Sequence, residues 1–173
     1  MPIKASAPRS VLLVCLGNIC RSPTAEEILR QKAAVAGMSL TIDSAGTGDW
    51  HLGEHPDVRA QKHAKARGYN ISKLVSRQVK ADDFYQFDLI LAMDKQNLAD
   101  LQAIKDSLTD ASDQDSEHES NKLATLALLS EEDPIYGGAN VPDPYQGNAD
   151  DFEAVIDQIE SSVDAWIESW KSV

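Results

Sequence analysis

With 173 residues, 42% of them hydrophobic, the chain is long enough for a single domain (1–173) with its own core and needs no disulfides or metal to hold it together. Its 16 basic residues against 28 acidic ones leave a net charge of -12, which argues against nucleic acid or a membrane surface as the main partner; any anionic ligand has to meet a locally positive pocket. Only two cysteines occur, Cys15 and Cys20, close together in one segment, and Met1 to Ser10 carries no apolar run of signal-peptide length, so a reducing, cytoplasmic setting is expected.

Val11 to Val14 is a short continuous apolar run, the pattern of a strand buried on both faces, and Gly17 follows at once. A helix start comes next: Ser22 as N-cap, Pro23 at the first helical position, Glu26 and Glu27 early, with Gly37 as the stop and Ala25, Ile28, Leu29, Ala33 and Ala36 as the buried stripe. Leu40 to Ala45 reads as a second strand and Asp57 to Arg67 as a helix stopped by Gly68. Asp88 to Ala92 is a third strand feeding a helix from Asp94, whose buried side is Leu98, Leu101, Ile104 and Leu108. Asp106 to Asn121 is rich in Ser, Asp and Glu and reads as a solvated, flexible acidic insertion.

Leu123 to Leu129 supplies a fourth strand, and Phe152, Val155, Ile156, Ile159, Val163, Trp166, Ile167 and Trp170 form the strongest helical stripe in the sequence. Strands alternating with helices imply an α/β fold with a mostly parallel sheet covered on both faces, and such sheets place their sites at the carboxyl ends of the strands. The loop after Val14 is such a place.

That loop carries the chemistry. Cys15-Leu16-Gly17-Asn18-Ile19-Cys20-Arg21-Ser22 puts a thiol at the end of a buried strand and an arginine six residues later at a helix N-terminus. A tight loop there turns its backbone N–H groups inward, and the helix terminus adds partial positive charge, so the concavity suits a tetrahedral dianion; Gly17 and Asn18 tolerate the positive φ such wrapping needs. The same field favours a thiolate at Cys15. Arg21 brings a planar fork able to grip two phosphoryl oxygens, and the Ser22 hydroxyl is placed to donate to the sulfur when cysteine leaves. A bare Cys-x5-Arg arises by chance in about one such chain in ten, so the weight rests on the whole string between strand and helix.

That string resembles the low-molecular-weight protein tyrosine phosphatases. The resemblance continues, in the same order, through Asp43-Ser44-Ala45-Gly46-Thr47, Arg77-Gln78, Asp88 to Asp94 and Val141-Pro142-Asp143-Pro144-Tyr145. It implies a four-stranded parallel sheet flanked by helices in three layers, with the phosphate-binding loop after the first strand. It implies hydrolysis of phosphotyrosine on protein substrates, themselves products of a tyrosine kinase, through a cysteinyl-phosphate and with no cofactor. By the same resemblance Asp143 is the general acid, Trp50 and Tyr145 are the walls of the substrate pocket, Asn18 braces the loop with help from Ser44, and Cys20 is a redox partner of Cys15. Many relatives carry histidine where this chain has Leu74, so that part of the brace is missing. Isoleucine at position 19 favours phosphotyrosine, since arginine phosphatases of the family carry threonine there.

Three other readings are weaker. Arsenate reductases on this fold need a further cysteine pair near the third strand, and Asp82 to Asp94 has none. A redox-sensing phosphate-binding module needs no general acid. His51 and His55 have a spacing found in zinc sites, but no further ligands complete a set, and no metal is expected.

Overall fold

The computed structural model describes residues 7–112 and 122–172. Its elements are β1 (Ser10–Cys15), α1 (Arg21–Val35), β2 (Thr41–Gly46), α2 (Val58–Ala66), α3 (Asp83–Gln86), β3 (Leu89–Ala92), α4 (Lys95–Ser112), β4 (Thr125–Leu128) and α5 (Ala149–Lys171). The four strands form one parallel sheet in the order β2-β1-β3-β4. The expected three-layer architecture is therefore present.

Strand β1 is buried along its whole length because it divides two cores. Val11, Leu13 and Cys15 face a cluster that includes Ile28, Leu29, Ile156 and Ile159 of α1 and α5, while Leu12 and Val14 face a second with Phe84 and Leu101 of α3 and α4. Period-two side-chain alternation explains why a run apolar at every position is needed here. All eight residues of the closing stripe are buried on α5, and the Trp166 indole N–H donates to the Leu129 carbonyl at 2.7 Å, a partner the ring needs inside a core.

Several expectations are corrected. Helix α1 begins at Arg21 with Cys20 at the cap position and no side-chain cap, so Ser22 is inside the first turn and not its N-cap. Glu26, early in the helix as expected, is buried and accepts the Ser44 hydroxyl at 2.7 Å. Helix α4 runs on to Ser112, so Asp106 to Ser112 is helical where a loop was expected; Leu108 still packs on the second core, and Gln102 donates to Asp106 one turn on. The remainder of the acidic insertion, 113–121, lies outside the described residues. Helix α3 was not anticipated, being too short to show a helical period.

Helix α2 does follow the sequence signals. Asp57 caps it by accepting the Arg59 backbone N–H, and beyond its end Gly68 takes φ 90°, a conformation that favours glycine.

Candidate active site

The loop between β1 and α1 is built around the Cys15 sulfur. The Asn18 backbone N–H points at it from 3.2 Å, and the Ser22 hydroxyl lies 3.0 Å away. The Asn18 amide also donates to the Ser22 oxygen at 2.7 Å, so the single serine proton is free for the sulfur; the rival acceptor, the Ala45 carbonyl, is at 3.4 Å.

Asn18 holds this arrangement by using its whole side chain. Its amide donates to Ser22 and to Ser44 at 2.9 Å, and its carbonyl oxygen accepts the Arg77 backbone N–H at 3.1 Å. The Ser44 hydroxyl in turn donates to Glu26 Oε1 at 2.7 Å. Leu74 packs toward the first core, and the polar contacts that hold Asn18 come from Ser44, Ser22 and the Arg77 backbone.

Backbone geometry needs one correction. Asn18 takes φ 57°, as a tightly wound loop requires, but Gly17 has no positive φ. Glycine is needed there for room, since a Cβ would come within 3.0 Å of the His51 ring. Gly46 is constrained the same way: a Cβ would meet the Leu16 carbonyl oxygen at 2.7 Å, where the end of β2 supports the loop through Thr47 and Gly48 N–H groups on the Cys15 and Leu16 carbonyls.

Arg21 is buried to 3% exposure. Its Nη1 donates to Asp94 Oδ2 at 2.6 Å and to the Val141 carbonyl at 3.0 Å, while Nη2 lies 3.7 Å from Asp143 Oδ2. Burial alone works to lower the guanidinium pKa, but the facing Cys15, Asp94 and Asp143 groups outweigh it and raise it, so the fork stays charged. Asp94 is itself fixed by the Asn97 N–H at 2.7 Å, at the start of α4.

Sequence reasoning missed Asp94 as the partner of Arg21. The only signal was its place after the third strand, where a carboxylate reads equally well as a helix cap. His51 was read only as a failed zinc ligand; its Nδ1 lies 2.7 Å from Glu54, and His55 Nδ1–H donates to the Leu74 carbonyl at 2.9 Å. Among the described residues no cluster able to hold a metal ion is found.

A cavity of about 210 Å³ opens over the sulfur. Cys15 and Arg21 line it, with Leu16, Gly17, Ile19 and Cys20 from the loop, Trp50, His51 and Tyr145 as aromatic walls, and Asp143. Trp50 is 68% and Tyr145 42% exposed, so neither ring is spent on the core and both are free to pack on a ligand. Asn18, Ser22 and Ser44 lie behind this lining. Cys20 is buried, and burial first, then the Asp57, Cys15 and Asp143 charges, push its thiol well above the ordinary range. Asp133, the other Asp-Pro, is also buried, with its carboxylate taken up by Ser161, Ser162 and the N–H groups of Ile135 and Tyr136.

A cysteine at the end of a parallel strand with a backbone N–H aimed at its sulfur, a buried arginine and a nearby carboxylate fit the class of phosphate-ester enzymes. Comparison narrows the class. Residues 10–173 match the family of low molecular weight phosphotyrosine protein phosphatases, and the chain belongs to that family. It is 38% identical to the low molecular weight phosphotyrosine protein phosphatase of Gallus gallus, over 95% of this chain and 97% of that one. Among solved structures it is similar to a protein tyrosine phosphatase from Entamoeba histolytica, with TM-score 0.79 and 32% identity over 94% of this chain and 97% of the other. It is also similar to a Drosophila arginine phosphatase, with TM-score 0.82 and 31% identity over 93% and 97%.

Proposed function

We propose that this protein hydrolyses phosphotyrosine on protein substrates through a cysteinyl-phosphate at Cys15, with Asp143 as general acid. The observation that carries the reading is the convergence of the Cys15 sulfur, the Arg21 guanidinium and the Asp143 carboxylate on one aromatic-walled cavity.

In the first step the Cys15 thiolate attacks phosphorus in line with the leaving phenol. The S–P bond forms, the P–O bond to the ring breaks, and Asp143 passes its proton to the departing phenolic oxygen. Loop N–H groups from Leu16 to Ser22 and the Arg21 fork hold the three equatorial oxygens. In the second step water attacks phosphorus and gives its proton to Asp143 while the S–P bond breaks; the Ser22 hydroxyl, already aimed at the sulfur, stabilises the thiolate that leaves.

A flat ring fits between Trp50 and Tyr145, and a phosphate at the depth of Cys15 requires a long, rigid spacer, which favours phosphotyrosine over phosphoserine. The likeness to an arginine phosphatase keeps a second substrate in view, and Ile19 on the cavity wall speaks for the aryl ester. The test is metal-free hydrolysis of phosphotyrosine, phosphoserine and phosphoarginine peptides side by side. Preference for phosphotyrosine is expected, whereas equal rates, or preference for phosphoarginine, would overturn the substrate assignment.

Cys20 gives the site a redox role. Peroxide oxidises the Cys15 thiolate to a sulfenic acid, and Cys20 then attacks that sulfur with loss of water to close a disulfide. Its raised pKa makes the second step slow at neutral pH and faster as pH rises. Peroxide inactivation reversible by dithiothreitol is expected, and sulfinic acid as the sole product at Cys15 would refute the pairing.

A further inference from the structure

Arg59, the second residue of α2, takes no part in the chemistry above and does not line the cavity, yet it stands between the two loops that do. Asp57 grips its guanidinium at two points, with Nε on Oδ1 at 3.1 Å and Nη2 on Oδ2 at 2.9 Å. The Asp57 backbone N–H donates to the Ile19 carbonyl at 2.9 Å, which fastens this end of α2 to the phosphate loop.

On its other side Arg59 reaches the acid-bearing loop. Nη2 donates to the Tyr145 carbonyl at 2.9 Å, and the guanidinium carbon lies 5.6 Å from the centre of the Tyr145 ring and 4.8 Å from that of Phe152. The Tyr145 N–H in turn donates to Asp143 Oδ1 at 3.1 Å, and Asp143 Oδ2 faces Arg21. Since Arg21 closes the phosphate loop, the contacts form a circuit: Ile19, Asp57, Arg59, Tyr145, Asp143, Arg21.

We propose that Arg59 is a positioning residue for the general acid, setting the place of the Asp143 carboxylate over the phosphate loop through Tyr145. The inference rests on the assignment of Asp143 as the acid. Asp143 is 46% exposed and, among the described residues, accepts one hydrogen bond, from the Tyr145 N–H at 3.1 Å, so its direction follows where the Tyr145 backbone is held. A general acid works only within hydrogen-bond reach of the leaving oxygen. Arginine suits the post because its planar fork holds Asp57 at two points while its face lies on two rings, which lysine cannot reproduce. The competing reading is a half-exposed ion pair that tidies the surface and has no bearing on rate.

The test compares Arg59→Met, Arg59→Lys, Asp143→Asn and the double variant Arg59→Met/Asp143→Asn on a phosphotyrosine peptide and on the phosphate ester of a strongly acidic phenol. Arg59→Met keeps an unbranched apolar stem and removes the fork with its contacts to Asp57, the Tyr145 carbonyl and the two rings. Its kcat on the peptide is expected to fall by about tenfold or more, with little change on the acidic ester and with inhibition by inorganic phosphate preserved. The double variant is expected to be no slower than Asp143→Asn, and Arg59→Lys to recover only part of the loss. Equal slowing of both substrates, multiplicative losses in the double variant, or no slowing at all would overturn the proposal. Should Arg59→Met fail to fold, Arg59→Lys carries the same comparison. Failure of the underlying assignment is recognised separately, because Asp143→Asn by itself would then slow both substrates alike.

Discussion

The phosphate loop and the acid loop meet at one cavity but are made differently. From Cys15 to Ser22 nearly every side chain is buried, and the central asparagine has each of its polar groups satisfied by protein. The loop bearing Asp143 is buried at its base, where the Val141 N–H donates to the Met93 carbonyl at 2.8 Å, and is held again at the Tyr145 carbonyl by Arg59; between these points the Asp143 side chain is half-exposed. The contrast follows the tasks. Charge stabilisation is strongest when donors are fixed in a dry site before the substrate arrives. In the role proposed for it, Asp143 would recover its proton from water in each cycle, which suits a half-exposed carboxylate held by few contacts.

This comparison is broken most severely at the sulfur. Cys15→Ser is expected to lower turnover by at least about 10⁴-fold while phosphate or vanadate still binds, because the N–H groups and Arg21 remain. Calorimetry showing that anion binding is lost along with turnover would mean the cradle depends on the thiolate and is not built independently of it.

Arg21→Lys comes next, with kcat expected to fall at least about a hundredfold, as for loss of one fixed transition-state donor. A lysine also leaves Asp94 and the Val141 carbonyl, both bound by the same Nη1, without their planar partner. A rise confined to KM would instead assign Arg21 to ground-state binding.

A smaller and more selective effect is expected on the exposed side. Asp143→Asn should slow phosphotyrosine hydrolysis by about a hundredfold, the lower end of a general-acid contribution, and barely touch the ester of a strongly acidic phenol. The alkaline limb of the pH-rate profile should flatten in the same variant. Equal slowing of both substrates with an unchanged profile would make Asp143 structural.

The smallest effect sharpens the comparison from outside the site. Asp133 is a fully engaged carboxylate: burial pushes its pKa up, but the Ser162 hydroxyl, the Ile135 and Tyr136 N–H groups and Ser161 outweigh it and hold the pKa below the ordinary value. Its folded-state pKa being depressed, its contribution to stability is present above the unfolded value of about 3.9 and is lost as pH falls through the folded one. Asp133→Asn should therefore lower stability by about 1–3 kcal/mol at neutral pH, less in acid, with kcat unchanged. Denaturant melts at neutral and acid pH check the sign, and a fall in kcat would make Asp133 a rival to Asp143 for the role of acid.

Much of the frame was legible because it rests on periodicity and local stereochemistry. The stripe on α5, the apolar run of β1, the start of α2 near Asp57 and the Gly68 stop are each dictated by residues within a turn or two of one another, so the chain alone carries the signal. Ser22 shows where such local signals divide. Serine before proline marks a helix start in any sequence, but here the hydroxyl lies over the Cys15 sulfur and the cap position falls to Cys20. The end of α4 was misjudged because composition weighs Ser and Asp as loop formers, while one leucine packed on the core keeps the turn helical.

By itself, then, the sequence determined an α/β chain with a thiol, a phosphate-sized loop and an arginine in one short segment, because those groups are covalently close. What tertiary structure alone decided is every contact made across distant parts of the chain. Asp94 on Arg21, Glu26 behind Ser44, the Arg77 backbone on Asn18 and Arg59 between the two loops join residues up to 86 positions apart. A charged or polar residue in a sequence does not state its partner, since any of many carboxylates could have met Arg21 and only the sheet order and helix packing bring Asp94 within 2.6 Å of it.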